Sequence, residues 1–296
     1  MQRRLLFLLN PRAGVQTGKP LIKIIEERCA ASHFQFEVCN SSADGNYEWL
    51  REKIVKENFT DVVIAGGDGT ISAIASSILD INIHIGIIPR GSGNGLALTA
   101  GISKNPYKAL DIIFKDNALL VDAFTINNQF SCMLSGIGFD AQVAHDFDKQ
   151  QKRGFWKYTQ LTVKNLFGVK TYPFKISSLA NNLEAQAYFV SIANSNQFGN
   201  HFTIAPKASL HDGLIDVVVV EKTNFLLLLF RVIWHIRFGT FTQNFKKRFG
   251  ITYFQTDKVT IENPSKAPFH IDGDGKETAE LFEIKVIKNA YRLIMP

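Results

Sequence analysis

Three glycine-rich turns each follow an apolar run: Asn10-Pro11-Arg12-Ala13-Gly14 after residues 5–9, Gly66-Gly67-Asp68-Gly69-Thr70 after residues 62–65, and residues 89–95 after residues 83–88. Glycine admits positive φ and close backbone approach, so a strand ending in such a turn can aim several N–H groups at one anion. A Cβ would block that approach. Repetition of strand, glycine turn and helix points to a parallel α/β sheet whose ligand gathers beyond the carboxyl ends of the strands. Helices are expected at residues 19–31, 71–79 and 95–100. Within the second turn Asp68 is the only charged residue and has glycines on both sides, which directs it to a ligand rather than a core. Thr70 either adds a hydroxyl there or caps the helix that follows.

The alternation runs to about residue 122 and then changes texture. Segments rich in strand formers follow at residues 123–126, 130–134, 174–177, 184–193, 214–220, 258–261, 267–271 and 282–287. Turn residues separate them, so residues 123–287 are expected to form a mainly antiparallel second domain after an α/β domain at 1–122. Two helical interruptions are expected, at 140–169 and 224–238. The second carries an apolar run over 225–230, yet it is too short and too charged to cross a bilayer. It reads as a packed helix or as a membrane-surface contact, and Lys246-Lys247-Arg248 between Phe245 and Phe249 suits an anionic interface.

Composition narrows the class. The 296 residues are 46% hydrophobic and 20% charged, which is ordinary for a globular chain able to bury a large core. Three cysteines without CxxC spacing argue against a disulfide framework or a zinc site and suit a reducing cytoplasm. The opening Met1 to Leu9 mimics a signal peptide, but Asn10-Pro11-Arg12 stands where small residues would be needed, so a buried first strand is expected. A net charge of +6 suits an anionic partner such as a nucleotide or an acidic membrane surface. No zinc-finger, helix-turn-helix or aromatic RNA-binding signature accompanies it, so nucleic acid is not expected as a partner.

Two near-motifs fail. Residues 14–20 look like a Walker A loop, but Pro20 stands where the magnesium-binding hydroxyl should be. Gly136-Ile137-Gly138-Phe139-Asp140-Ala141 matches the GxGxxA dinucleotide pattern, but it lies in the β-rich half without a βαβ unit. Signatures of zinc peptidases, serine hydrolases and protein kinases are also missing.

Taken in order, Asn10 to Gly14, Gly66 to Thr70 and Pro89-Arg90-Gly91-Ser92-Gly93-Asn94 resemble the diacylglycerol kinase catalytic family, which includes bacterial lipid kinases and sphingosine kinases. Gly136 to Ala141, Pro206 through Val217 and Asp272-Gly273-Asp274 fall in the family's order too, so the likeness spans nearly the whole chain. It implies an α/β nucleotide-binding domain of the NAD kinase and diacylglycerol kinase type, followed by an antiparallel β-sandwich, with the site in the cleft between them. It also implies that residues 288–296 return to the first domain. The implied reaction is transfer of the ATP γ-phosphoryl group to a lipid hydroxyl with Mg²⁺.

By the same resemblance, Asn10, Pro11, Arg12, Ala13, Gly14, Ser41, Gly66, Gly67, Asp68, Gly69, Thr70 and Ser92 hold the nucleotide, and Asp68 also serves the chemistry at the phosphates and metal. Asp274 takes the hydroxyl proton in place of the glutamate in the bacterial Asp-Gly-Glu pattern; Asp272 can share that task or simply form the turn. A structural Mg²⁺ would take Asp212 and the carbonyls of Ser209 and Leu214. Asp140 aligns with the residue that meets the lipid head group in sphingosine kinases, or else caps a helix. Gly95 replaces the aspartate that many bacterial diacylglycerol kinases carry after the Asn, which keeps a sphingoid acceptor open. The alternatives are a soluble kinase of the NAD kinase type, or a nucleotide- or lipid-binding module without turnover. The expected partners are ATP, a lipid and a transient membrane surface, in the cytoplasm, with an edge strand open to pairing with a second copy.

Overall fold

A computed structural model describes residues 3–14, 20–42, 45–150, 155–197, 203–224 and 250–296. The chain divides into two compact units, Met1–Val121 with Asn289–Pro296, and Asp122–Lys288. The stretches at 225–230 and 246–248, expected to meet a membrane, lie outside the described residues. Among the described residues no helix is long and apolar enough to cross a bilayer.

In the first unit β1 (Arg4–Leu9), β2 (Gln35–Asn40), β3 (Asp61–Gly66) and β4 (His84–Pro89) run parallel in the order β2-β1-β3-β4. The end of β15 (Leu281–Ile294) continues the ladder, with Arg292 and Leu293 parallel to β4. Strands β1 and β3 are apolar almost throughout because helices cover both faces of such a sheet: Leu5, Leu6, Phe7, Val62, Val63 and Ile64 are fully buried. The helices are α1 (Leu21–Ala31), α2 (Glu48–Lys56), α3 (Asp68–Ser77), α4 (Gly95–Thr99) and α5 (Pro106–Lys115). Helix α3 begins earlier than expected, on Gly67 as N-cap, so Thr70 sits inside its first turn and does not cap it. At the amino ends of β3 and β4, Asp61, His84 and Asp116 converge in a way that could attract a cation. Arg3 already balances them, 2.5 Å from Asp61 and 3.3 Å from Asp116, so this end of the sheet is a charge-paired latch.

The second unit is mainly antiparallel. Its long strand β9 (Asn182–Ala193) pairs along one edge with β8 (Tyr172–Ser178) and then with β7 (Leu134–Gly138), and along the other edge with β10 (Ile215–Glu221). Beyond β10 lies β11 (Ile251–Thr256); beyond β8 come β12 (Lys258–Glu262) and the start of β15. Beyond β7 lies the hairpin of β13 (Phe269–Ile271) and β14 (Asp274–Lys276). Strand β5 (Ala118–Ile126) pairs with the short β6 (Gln129–Ser131), so the expected 130–134 strand is two pieces, β6 and β7. Alternate residues, among them Ile137, Val190, Ile192, Val217, Val219, Phe269 and Ile271, form one apolar core. Phe269 and Phe282 stack there with centroids 4.7 Å apart; truncating a buried phenylalanine typically costs about 3–5 kcal/mol. Helix α6 (Phe139–Asp148) packs on the opposite face, against β7, β9 and the hairpin, and α7 (Phe155–Leu166) follows it.

All three cysteines are free thiols, with Cys29 and Cys132 fully buried and Cys39 half-buried. Burial pushes the Cys29 thiol up to about 11 and also raises Cys39, whose Sγ donates to Glu37 Oε1 at 3.3 Å. The thiolate is the nucleophile. At pH 8 an alkylating reagent is therefore expected to label the native protein slowly and only at Cys39, and all three thiols in denaturant. Mass spectrometry of the modified peptides checks this, and equal labelling of Cys29 and Cys39 in the native state would contradict the burial.

Candidate functional site

Because β1, β3 and β4 are parallel neighbours, their glycine turns emerge side by side. Backbone bonds join them: Asn10 N–H donates to the Ala65 carbonyl at 2.9 Å, and Arg90 N–H to the Gly66 carbonyl at 2.8 Å. Asn10 Nδ2 donates to Thr70 Oγ1 at 2.8 Å, while its Oδ1 accepts from Arg12 N–H at 2.9 Å. The second and third turns touch backbone to backbone, since a Cβ on Gly91 would stand 2.5 Å from the Gly67 Cα. Asn94 is left-handed at φ 58 and closes the third turn on itself, accepting from Gly91 N–H at 2.7 Å and donating to the Gly91 carbonyl at 2.8 Å. The two Asp68 oxygens accept from Gly95 N–H at 3.1 Å and Leu96 N–H at 3.2 Å. Asp68 thus ties the second turn to the start of α4, a task its sequence did not announce.

The remaining predicted nucleotide residues fall around these contacts. Pro11, Arg12, Gly14 and Ser92 are exposed, while Ala13, Gly69 and Thr70 are half-buried. Ser41 is buried just after β2, where its N–H donates to the Leu9 carbonyl at 2.8 Å. A cavity of about 460 Å³, within the range of small-ligand sites, is lined by Gly14, Pro89, Arg90, Gly91, Asn94 and Lys104 with four other residues. The Arg90 guanidinium comes within 2.8 Å of where a Gly14 Cβ would be. Among the described residues it has no hydrogen-bond or ion-pair partner, which leaves a planar cation facing a cavity between glycine turns. Such a fork suits phosphate oxygens.

In the second unit the chemistry-bearing residues sit on the β13–β14 hairpin. Its two-residue turn, Asp272-Gly273, has positive φ at both positions, 50 and 90, as a type I′ turn requires. Asp272 is buried, and its carboxylate accepts from Ser131 Oγ at 2.7 Å, Met133 N–H at 3.1 Å and Leu134 N–H at 3.0 Å. Those bonds fasten the hairpin tip to the β6–β7 connection. Asp274 is the first residue of β14, opposite Ile271, and is exposed. Asp140 enters α6 at its first turn and is buried; its Oδ1 accepts from Ala141 N–H at 2.8 Å and its Oδ2 faces His270 Nε2 at 3.6 Å.

The Asp212 carboxylate is held within and beside its own loop. Asp212 Oδ1 accepts from Leu214 N–H at 3.0 Å and Oδ2 accepts from Gln255 Nε2 at 3.4 Å. Beside it Asp216 is buried, and burial, aided by the Asp212 charge, pushes its carboxyl up to about 7 against the opposing effects of the Gln255 hydrogen bond and the Lys207 charge.

A family model for the diacylglycerol kinase catalytic domain matches residues 4–126, and one for the YegS C-terminal NAD kinase beta sandwich-like domain matches residues 134–295. The chain belongs to the diacylglycerol kinase family. A probable YegS-like lipid kinase of Shewanella frigidimarina is 24% identical over 249 residues, covering 82% of this chain and 78% of that protein. A diacylglycerol kinase of Staphylococcus aureus is 22% identical over 291 residues, covering 96% of this chain and 91% of that one. The crystal structure of a putative diacylglycerol kinase from Bacillus anthracis superposes with a TM-score of 0.77 at 20% identity, over 100% of this chain and 98% of that one. At that identity the superposition speaks for the fold: this family member has a nucleotide-binding type α/β unit and a sandwich-like second unit. Sequence reasoning assigned no role to Arg90, although it lies inside a quoted motif, or to His270, two positions before the Asp-Gly turn.

Proposed function

We propose that this kinase-family chain transfers the γ-phosphoryl group of ATP to the hydroxyl of a diacylglycerol or sphingoid-type lipid. The observation that carries the reading is the cluster of glycine turns in the first unit, where Gly14 of the first turn and Gly91 of the third line a cavity of about 460 Å³ together with Arg90, whose guanidinium has no partner among the described residues. Residues 10–14, Ser41, residues 66–70 and Ser92 would hold the triphosphate, with Asp68 fixing the turns that present the N–H groups. The Asp274 carboxylate would take the proton of the lipid hydroxyl as its oxygen bonds to the γ-phosphorus, while the bond to the β-phosphate oxygen breaks and ADP leaves. Such a transfer needs positioning and charge neutralisation more than covalent help. Asp212, with the carbonyls of Ser209 and Leu214, would hold a structural Mg²⁺; Mg²⁺ at the phosphates supplies charge neutralisation when bound. In this reading the first unit serves ATP and the second the lipid, with contact at the membrane surface peripheral.

Incubating the protein with γ-labelled ATP, Mg²⁺ and a total lipid extract tests this. Label is expected in the organic phase, dependent on both ATP and Mg²⁺, and its chemical identification names the acceptor. Label on NAD and on no lipid would assign the soluble-kinase reading, and ATP binding without any transfer would assign the binding module.

A further inference from the structure

We propose that Asp140 and His270 are a buried positioning pair that holds the Asp272-Gly273 turn and thereby sets the Asp274 carboxylate for proton removal; this rests on the kinase reading above. The pair is built on a row that crosses three strands in register: His270 on β13, Gly136 on β7 and Ser191 on β9. These residues share the sheet face that α6 covers, opposite the apolar core. His270 is 1% exposed and Asp140 6%. His270 Nδ1 accepts the Gly273 N–H at 3.2 Å. That bond requires an unprotonated Nδ1, so the neutral ring carries its proton on Nε2, the atom that faces Asp140 Oδ2 at 3.6 Å.

Asp140 Oδ2 makes no hydrogen bond. A buried carboxylate oxygen left so is costly, and the imidazole stands 3.6 Å from it. Gly136 makes the meeting feasible: a Cβ there would lie 1.9 Å from Asp140 Oδ2 and 2.7 Å from His270 Nε2. The same helix grips the hairpin a second time, since His145 Nε2 lies 2.8 Å from the Phe269 carbonyl and its ring occupies the space beside Gly275. Asp272 is fixed through its carboxylate and Gly273 through its N–H, so the backbone leading into Asp274 is held from both sides. His270 and Asp140 are therefore positioning residues, and Asp140, buried with Oδ2 turned to His270, takes this role in place of the head-group contact that the resemblance implies.

The test uses the full-length protein with ¹⁵N-labelled glycine, comparing wild type, His270→Ala, His270→Asn and Asp140→Asn by Gly273 amide exchange and by steady-state kinetics. His270→Asn keeps an acceptor oxygen where Nδ1 stood. In His270→Ala the Gly273 amide is expected to exchange at least about tenfold faster, and kcat to fall about 10–100-fold with KM for ATP within about twofold. His270→Asn restores most of both, and Asp140→Asn falls between. Unchanged exchange in His270→Ala, or faster exchange with unchanged kcat, overturns the proposal, as does equal loss in the Ala and Asn variants. Should His270→Ala not fold, His270→Asn against Asp140→Asn still decides, because only the latter should lower kcat substantially. A wild type that phosphorylates no lipid overturns the kinase reading instead, while the exchange data still decide whether the pair holds the turn.

Discussion

Asp274→Asn is expected to lower kcat by about 10²–10⁴-fold, the usual contribution of a positioned general base, with little change in thermal stability. The side chain is exposed at the start of β14, so replacing it with an isosteric amide removes no core contact. What is lost is a group able to accept a proton. The bacterial pattern that this chain resembles has glutamate here, one methylene longer. Asp274→Glu should therefore keep measurable turnover if the acceptor hydroxyl tolerates the longer reach. Rates of labelled-lipid formation, with the melting temperature as a control, check both variants; full activity in Asp274→Asn would remove the residue from the chemistry.

Asp68→Asn is expected to cut turnover on the order of 10²-fold and to cost about 1–3 kcal/mol of stability. Both carboxylate oxygens accept backbone N–H groups at the start of α4, from Gly95 and Leu96. An amide can replace only one acceptor and turns its NH₂ toward the other donor, which leaves a polar contact opposed rather than satisfied. It also removes a negative charge next to a helix amino end, where such charge is favourable. Because Asp68 joins the second and third glycine turns, its loss should loosen the anion cradle as well as the local fold. Turnover, KM for ATP and the melting temperature separate the two effects, and a destabilised variant with wild-type turnover would leave Asp68 a purely structural residue.

The strands that carry the glycine turns were legible because burial on both faces makes β1, β3 and β4 nearly continuous apolar runs with an abrupt polar end. Strand β2 was less so, since Gln35–Asn40 is only half-buried and mixes Glu37 and Cys39 with apolar residues. Helix α5 carries a start signal of its own, with Asn105 accepting from the N–H groups of Tyr107 and Lys108 and Pro106 in its first turn. Helix α3 starts at Asp68 because the helix can begin directly on the extended Gly67, which a reading of Thr70 as a cap did not allow.

Within the candidate site, motif order marked which turns matter, but not how they join. The contacts of Asn10 with Thr70 and of Asp68 with Gly95 link residues far apart in sequence. Asp272 illustrates the limit best. Its sequence reads as a turn residue or a spare base, while its partners Ser131, Met133 and Leu134 lie some 138–141 positions upstream. No local pattern encodes a bond of that span. His270 stayed silent for the same reason, since an imidazole between Phe269 and Ile271 gives no sign of the acid opposite it.

Strand β15 begins among residues of the second unit and ends with Arg292 and Leu293 on the edge of β4 in the first. Anyone wishing to produce the glycine-turn unit alone therefore cannot simply stop translation at Val121. A fragment ending there would expose the β4 edge that Arg292 and Leu293 cover, inviting self-association. A workable version would graft Asn289–Pro296 back through a designed linker or use a circular permutation, and a purification tag would sit more safely where it leaves that final strand undisturbed.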